Sequence, residues 1–366
     1  MRVINLVDNI SDINFGIWNA SISTAKCLNE FGVQSELWYT DSNNKVLHIP
    51  VISHFLKDIS SRGIDVAIRD KGLDNKKDII VSHGCWRIPS KLGRSFADKG
   101  FVWIYTPHGM LEPWSLMQKW LKKSIYFKLY EKNYAKHASV IRAVSSTEQT
   151  NLKRLFPSSV IRVIPNGIPF IYDQRSERNI GQMSFLFMGR LHKKKGIVPL
   201  VKAWIRSTLN ANKRFHLYIA GPDNGELNQI CQLLDHDSRS ESNISYIGTL
   251  NEEGKRNYFK KCDFFILPSY SEGFSTAVIE AMGAGLIPLI SEGCNFPEAF
   301  EEGLAYLVEP EERHIQQTLE EIITLDSGII RDKQRLVKEW TGLNFKMEII
   351  ARKQFQLYRS LLKDVT

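Results

Sequence analysis

The stretch FFILPSYSEGFSTAVIEAMGAGLIPLI, residues 264–290, decides the fold. Short apolar runs at 264–267 and 286–290 bracket it, and the pattern between them turns helical. It reads as one strand–loop–helix–strand unit, with Glu272 just before the helix and Glu280 inside it. Carboxylates are almost never fully buried unless something pairs with them. Glu280 lies in Ala-Val-Ile-Glu-Ala-Met, on a helix that the flanking strands would press into the interior. A ligand rich in hydroxyl groups would account for it.

The same alternation extends in both directions. Apolar runs recur at 3–7, 35–39, 78–83, 102–106, 139–144 and 160–165, then at 184–188, 216–220, 244–247, 264–267, 287–290 and 305–308. Several are continuous rather than alternating, as parallel strands covered on both faces require. Strand–helix alternation of this kind means doubly wound α/β sheets, and here there are two. The predicted division is a first domain over 1–165, a linker over 166–182, a second domain over 183–345 and a final helix over 346–366 that packs back on the first domain. Pro165-Asn166-Gly167-Ile168-Pro169 supplies the turn chemistry at the boundary. In open sheets of this type ligands bind beyond the carboxyl ends of the strands, so the loops of the two domains are expected to face one interdomain cleft.

The 366 residues hold 43% hydrophobic and 24% charged residues, the composition of a globular protein. No run approaches the roughly 18 to 20 apolar residues that a spanning helix needs. The first ten residues read as a β-strand rather than a signal peptide. Cysteines 27, 85, 231, 262 and 294 lack metal-ligand spacing and read as reduced thiols of a cytoplasmic protein.

The net charge of +8 is concentrated in the first half, where residues 1–165 carry 23 Lys and Arg against 14 Asp and Glu. Within it, residues 114–137 hold six lysines and one acid, Glu131, interleaved with Trp114, Leu116, Trp120, Leu121, Ile125, Phe127, Leu129, Tyr130 and Tyr134. That pattern fits a helix lying in a membrane interface, and equally a surface helix packed on its own domain. No nucleic-acid-binding motif accompanies the charge, so nucleic acid is not an expected partner.

The loop Gly189-Arg190-Leu191-His192-Lys193-Lys194-Lys195-Gly196 follows the second domain's first strand. Its glycine permits a turn, Arg190 offers a planar fork of donors, and Lys195 offers a point charge. A helix beginning after Gly196 would aim amides the same way, which suits a diphosphate. Gly273, Phe274, Ser275 and Thr276 open a second helix, with Ser275 or Thr276 at its N-cap. Glu272 beside such an anion suits a sugar hydroxyl, and Glu280 the paired hydroxyls of a ribose. His83 and Trp86 either line an acceptor site or belong to a packed loop, whereas His48, His54, His216, His236 and His314 read as structural or surface residues.

With these residues in place, the block 272–288 resembles the signature of retaining glycosyltransferases of the GT-B fold. This large family includes bacterial lipopolysaccharide and capsule enzymes, phosphatidylinositol mannosyltransferases and sucrose-phosphate synthases. Gly-Arg-Leu-His-Lys-Lys-Lys-Gly at 189–196, Ile-Pro-Asn-Gly-Ile at 164–168 and Thr-Pro-His-Gly-Met at 106–110 match its other motifs. The resemblance implies two Rossmann-like domains and a nucleotide-sugar donor, UDP- or GDP-linked, with no cofactor and no metal. It implies Glu280 on the ribose, Arg190 and Lys195 on the diphosphate, Glu272 on the sugar, and His108 beside the reacting centre. Gly16 would let backbone amides reach the diphosphate, although Phe15 stands where the family has a second glycine. The base would lie near Gly221 and Gly248, with Gly189 in the same neighbourhood.

The implied reaction moves a hexose-type sugar to a glycan or lipid-linked acceptor, as in O-antigen or capsule synthesis, at the inner face of the cytoplasmic membrane. Retention would proceed by front-face attack, with Glu272 reading hydroxyls rather than acting as nucleophile. Two alternatives are a nucleotide-sugar 2-epimerase of similar fold, for which the acids and histidines needed near C2 are lacking, and a catalytically silent nucleotide-sugar-binding subunit. A simple dehydrogenase is excluded, because no G-x-G-x-x-G follows the first strand.

Overall fold

The computed structural model describes residues 1–11, 15–41, 49–86, 88–168, 182–210, 212–235 and 243–363. Most of the expected linker (169–181), together with Asn14, His48, His236 and the side chain of Phe15, lies outside the described residues. The chain divides into two compact units, Met1–Pro169 with Met347–Thr366, and Phe170–Lys346.

The first unit is built on seven strands: β1 (Arg2–Asn9), β2 (Gln34–Asp41), β3 (Ile52–Phe55), β4 (Ile79–His83), β5 (Val102–Thr106), β6 (Val140–Ala143) and β7 (Ile161–Val163). All pair in parallel, in the order β3-β2-β1-β4-β5-β6-β7. Chain order reverses between β1 and β4, which opens a crevice beyond their carboxyl ends. Of these strands the sequence reading lacked β3. It is a short edge strand with Ile52 and Phe55 exposed, so it shows no apolar run.

The central strands β1, β4, β5 and β6 are largely apolar because both faces of the sheet are covered there. One face carries Ile4, Leu6, Ile80, Trp103, Tyr105 and Ile141 against the helices Ser61–Lys71 and Ile88–Ala97. The other carries Val3, Ile79, Val102, Ile104 and Val140 beneath Ala351 and Tyr358 of the last helix, Met347–Lys363. That helix is tied down by Thr24 Oγ1, which donates to Gln354 Oε1 at 2.6 Å, and by Met347 N on the Ile168 carbonyl.

The second unit holds β8 (Met183–Met188), β9 (Phe215–Ala220), β10 (Ile244–Tyr246), β11 (Phe264–Leu267), β12 (Ile287–Ile290) and β13 (Tyr306–Leu307). They form an all-parallel sheet in the order β10-β9-β8-β11-β12-β13, with its own reversal between β8 and β11. β11 and β12 are fully buried, and the helix Thr276–Gly283 crosses between them, as the run 264–290 requires. No helix among the described residues is long and apolar enough to cross a membrane. All five cysteines are free thiols.

Candidate active site

At the reversal point of the second unit, three loops meet through their backbones. Gly189 N donates to the Ala220 carbonyl, Gly221 N to the Gly248 carbonyl at 2.8 Å, and the Tyr246 hydroxyl to the Gly221 carbonyl at 2.9 Å. Gly221 has φ 136°, and a Cβ there would lie 1.9 Å from the Gly189 carbonyl oxygen. Gly196 has φ 67°, and its Cβ would lie 2.0 Å from the Pro268 oxygen. Only glycine allows both the conformation and the approach. Just before Gly196 runs a single helical turn, Lys193–Lys195, capped by His192 Nδ1, which accepts from Lys194 N at 3.1 Å.

This turn aims Lys195 at Glu272. The two form an ion pair at 2.6 Å, and Ser269 Oγ donates to the same carboxylate oxygen at 2.7 Å. Glu272 is 9% exposed. Burial is the largest influence on its carboxyl and opposes ionisation. Lys195 and Ser269 together outweigh it and hold the group below the ordinary glutamate range. The backbone on either side is fixed too, with Glu272 N on the Gly293 carbonyl and Asn295 Nδ2 on that of Glu272. Arg190 is exposed and makes no ion pair among the described residues, so its guanidinium is available to an incoming anion.

Glu280 corrects one expectation. It has a protein partner, the Lys255 ammonium at 3.2 Å, so its place on the helix does not by itself demand a ligand. Burial pushes the Glu280 carboxyl up against the pull of Lys255. Lys255, which burial opposes, is held above the ordinary lysine value by Glu280 and by Glu252 at 3.0 Å. Ser275 stands at the N-cap of the helix without a side-chain cap bond, beside the half-buried Gly273 and Thr276. The Phe274 ring packs on Phe296 and Phe345, which leaves its backbone as the part it can offer a ligand.

The first unit contributes separately. Gly16 is exposed in the first turn of the helix Phe15–Ile22, with open space where a Cβ would stand. His108 follows β5 in a left-handed conformation, φ 54°, and is half-buried. Gly109 N beside it is held by the Glu148 carboxylate at 2.6 Å. His83, at the end of β4, is 2% exposed and lies within hydrogen-bonding distance of His108, 2.8 Å between ring nitrogens. It sits beneath His108 rather than lining an acceptor surface. Trp86 belongs to the packed loop, its ring meeting Tyr126 edge-on.

Residues 23–170 match the family described as "Glycosyltransferase Family 4", and residues 171–338 match "Glycosyl transferases group 1". The chain joins a family 4 glycosyltransferase domain to a group 1 glycosyl transferase domain. A GDP-mannose:cellobiosyl-diphosphopolyprenol alpha-mannosyltransferase of Xanthomonas oryzae pv. oryzae is 24% identical over 46% of this chain and 44% of its own. O-antigen chain mannosyltransferase B of Escherichia coli is 27% identical over 31% of this chain and 29% of its own. The chain therefore spans less than half the length of these curated relatives. The sucrose-phosphate synthase structure from Thermosynechococcus elongatus superposes with a TM-score of 0.78 at 17% identity, over 99% of both chains, which establishes the GT-B fold.

In this glycosyltransferase the basic aromatic segment is not one helix. It is two helical stretches, Pro113–Met117 and a run from Trp120 to Ala135 that widens into a π-helical turn over Phe127–Glu131, separated at Lys119, which is left-handed at φ 55°. Leu116, Phe127 and Tyr134 pack on the domain core. Glu131 is fully buried and accepts from Trp86 N, Ser90 Oγ and Tyr105 Oη at 3.2, 3.0 and 2.7 Å. Its burial removes the segment's one acid from the surface. Outward stand Met117, Trp120, Leu121, Ile125 and Leu129, each about 60% exposed, among lysines. One face thus packs on its own domain, and the other is apolar, basic and exposed.

Sequence reasoning missed Lys255, Ser269 and the His83–His108 contact. Lys255 lies three residues after Glu252 in a polar helix, a pattern shared by many solvated surfaces. Nothing local to it points at Glu280.

Proposed function

We propose that the chain is a retaining glycosyltransferase that moves a hexose-type sugar from a UDP- or GDP-linked donor to a glycan or lipid-linked acceptor in surface-polysaccharide synthesis. The observation that carries this reading is the Lys195–Glu272 pair, on the loop that also carries the exposed Arg190, at the reversal point of the second sheet. Such a pair offers a cation to a diphosphate and a carboxylate to sugar hydroxyls within one contact. The mannosyltransferase names of the relatives support the same class.

Cleavage of the sugar–phosphate bond leaves negative charge on the departing diphosphate. Arg190, Lys195 and the amides at the start of the helix Thr276–Gly283 are the groups that would stabilise it, with no metal and no cofactor. The acceptor oxygen bonds to the anomeric carbon on the face the phosphate leaves, and its proton passes to a phosphate oxygen. Glu272 is already engaged by Lys195 and Ser269, which favours it as a hydroxyl ligand over a nucleophile. Glu280 and Lys255 would take the ribose, near Gly221 and Gly248. Detection by mass spectrometry of a sugar covalently trapped on Glu272 would overturn front-face attack.

A thermal-shift panel of nucleotides and nucleotide-sugars tests the reading, because a ligand that binds only the folded state raises Tm. A UDP- or GDP-sugar is expected to raise it, and a folded protein indifferent to the whole panel would end the proposal. The outward face of 117–130 would dock on anionic lipid at the inner face of the cytoplasmic membrane. Sedimentation with anionic vesicles should fall at high salt and in a Trp120→Ser/Leu129→Ser variant. Binding indifferent to lipid charge would refute this docking.

A further inference from the structure

Three side chains form one hydrogen-bonded line beneath His108. Asn5 Nδ2 donates to the Glu36 carbonyl at 3.1 Å, and a carbonyl only accepts. Asn5 Oδ1 is therefore the atom that faces His83 Nε2, at 3.0 Å, and it accepts the His83 hydrogen. A neutral imidazole carries one hydrogen, so His83 Nδ1 is left as an acceptor. His108 Nε2 lies 2.8 Å from it and must donate. Ring centroids 5.1 Å apart with planes at 25° fit an in-plane contact through the nitrogens rather than a face-to-face stack.

The line follows from strand register. Asn5 pairs with Val81 and His83 lies two residues on, so both point to one face of the sheet. His83 in turn pairs with Thr106, two residues before His108. Asn5 and His83 are each 2% exposed, which denies them alternative partners in solvent. Among the described residues, His108 Nδ1 has no hydrogen-bond partner. The charged groups packed nearby are Arg142, which donates to the Ile164 and Pro165 carbonyls, and Glu148, which accepts from Gly109 and Val144 amides.

We propose that His83 is a positioning residue, and that its bond to Asn5 locks His108 in the Nε2–H tautomer. His108 then presents Nδ1 purely as a hydrogen-bond acceptor for a hydroxyl of the bound sugar or acceptor. The inference rests on the glycosyl-transfer reading for its ligand, while the tautomer stands on the hydrogen bonds alone. It assigns His108 the orientation of hydroxyls and denies it the role of general acid.

The test is NMR of the full chain carrying 13C,15N-labelled histidine at pH 7, with the His108 signals identified by their loss in His108→Gln. A neutral ring protonated at Nε2 is expected, and an Nδ1–H or cationic ring in the unmodified protein would overturn the proposal without any variant of His83. His83→Leu should release His108 into a mixture of tautomers and lower kcat/KM roughly tenfold or more. His83→Asn, whose amide oxygen can replace Nδ1, should restore most of both. If His83→Leu changes neither the tautomer nor kcat/KM, the relay is wrong. If no nucleotide-sugar is turned over by the unmodified protein, the transfer reading fails while the tautomer measurement still decides the relay.

Discussion

Glu272 and Lys195 lie 77 positions apart in sequence and 2.6 Å apart in space. Both are mostly buried, so each makes the other tolerable, and removal of one leaves an uncompensated charge. Lys195→Met and Glu272→Gln should each destabilise the protein by about 2–3 kcal/mol, and the double variant by clearly less than their sum. Urea unfolding of the three proteins checks this, and strict additivity would show that the pair is not coupled. His108 supplies a second prediction. Burial and the Arg142 cation lower its pKa from 6.5 to about 3. Its contribution to stability is therefore complete above pH 6.5 and is lost as pH falls toward 3, at up to about 1.4 kcal/mol per pH unit. Glu148 acts with opposite sign. Burial raises it to about 7, so its contribution is complete below pH 4.5 and lost as pH rises through 7. Between pH 5 and 6.5 the two oppose each other. Between pH 5 and 6.5, stability measured by denaturation should fall more, or rise less, with pH in His108→Gln than in the unmodified protein. An identical pH dependence of the two proteins would count against the assignment.

At the scale of elements, the sequence was most legible where a local rule was strict. The run 264–290 reads as strand, loop, helix and strand because burial on two faces imposes continuous apolar strands, and the structure has those elements. β3 was illegible because an exposed edge strand has no such constraint. The segment 113–135 was half legible. Its composition announced an apolar, basic surface, but the inward turn of Glu131 depends on Tyr105, Ser90 and Trp86, 26 to 45 positions away. The glycines divide in the same way. Gly221→Ala should cost about 3 kcal/mol or more, since its Cβ would collide with the Gly189 carbonyl at a φ that L residues avoid. Gly16→Ala meets open space and should leave stability within about 0.5 kcal/mol, while raising KM for the donor severalfold. Thermal denaturation with donor kinetics separates the two, and equal losses of stability would refute the contrast.

At the scale of the whole molecule, the chain's last helix belongs to the unit formed by its beginning. Met347–Lys363 covers Val3, Leu28, Ile79, Val102 and Val140. A chain ending at residue 346 would expose that apolar face, so Met1–Pro169 should become protease-sensitive and prone to aggregate while the second unit resists digestion. Equal resistance of both units would show that the helix is dispensable. The sequence by itself determined the two parallel sheets and the cluster at Gly189–Gly196 and 272–280, because strand burial, glycine turns and basic loops are written within a few consecutive residues. It also placed His108 beyond β5. Only the tertiary structure decided which charges meet. Lys195 with Glu272, Lys255 with Glu280, and the line from Asn5 through His83 to His108 all join separate strands or loops. Such pairings are set by which strands become neighbours in each sheet, and no single run of consecutive residues spells that out.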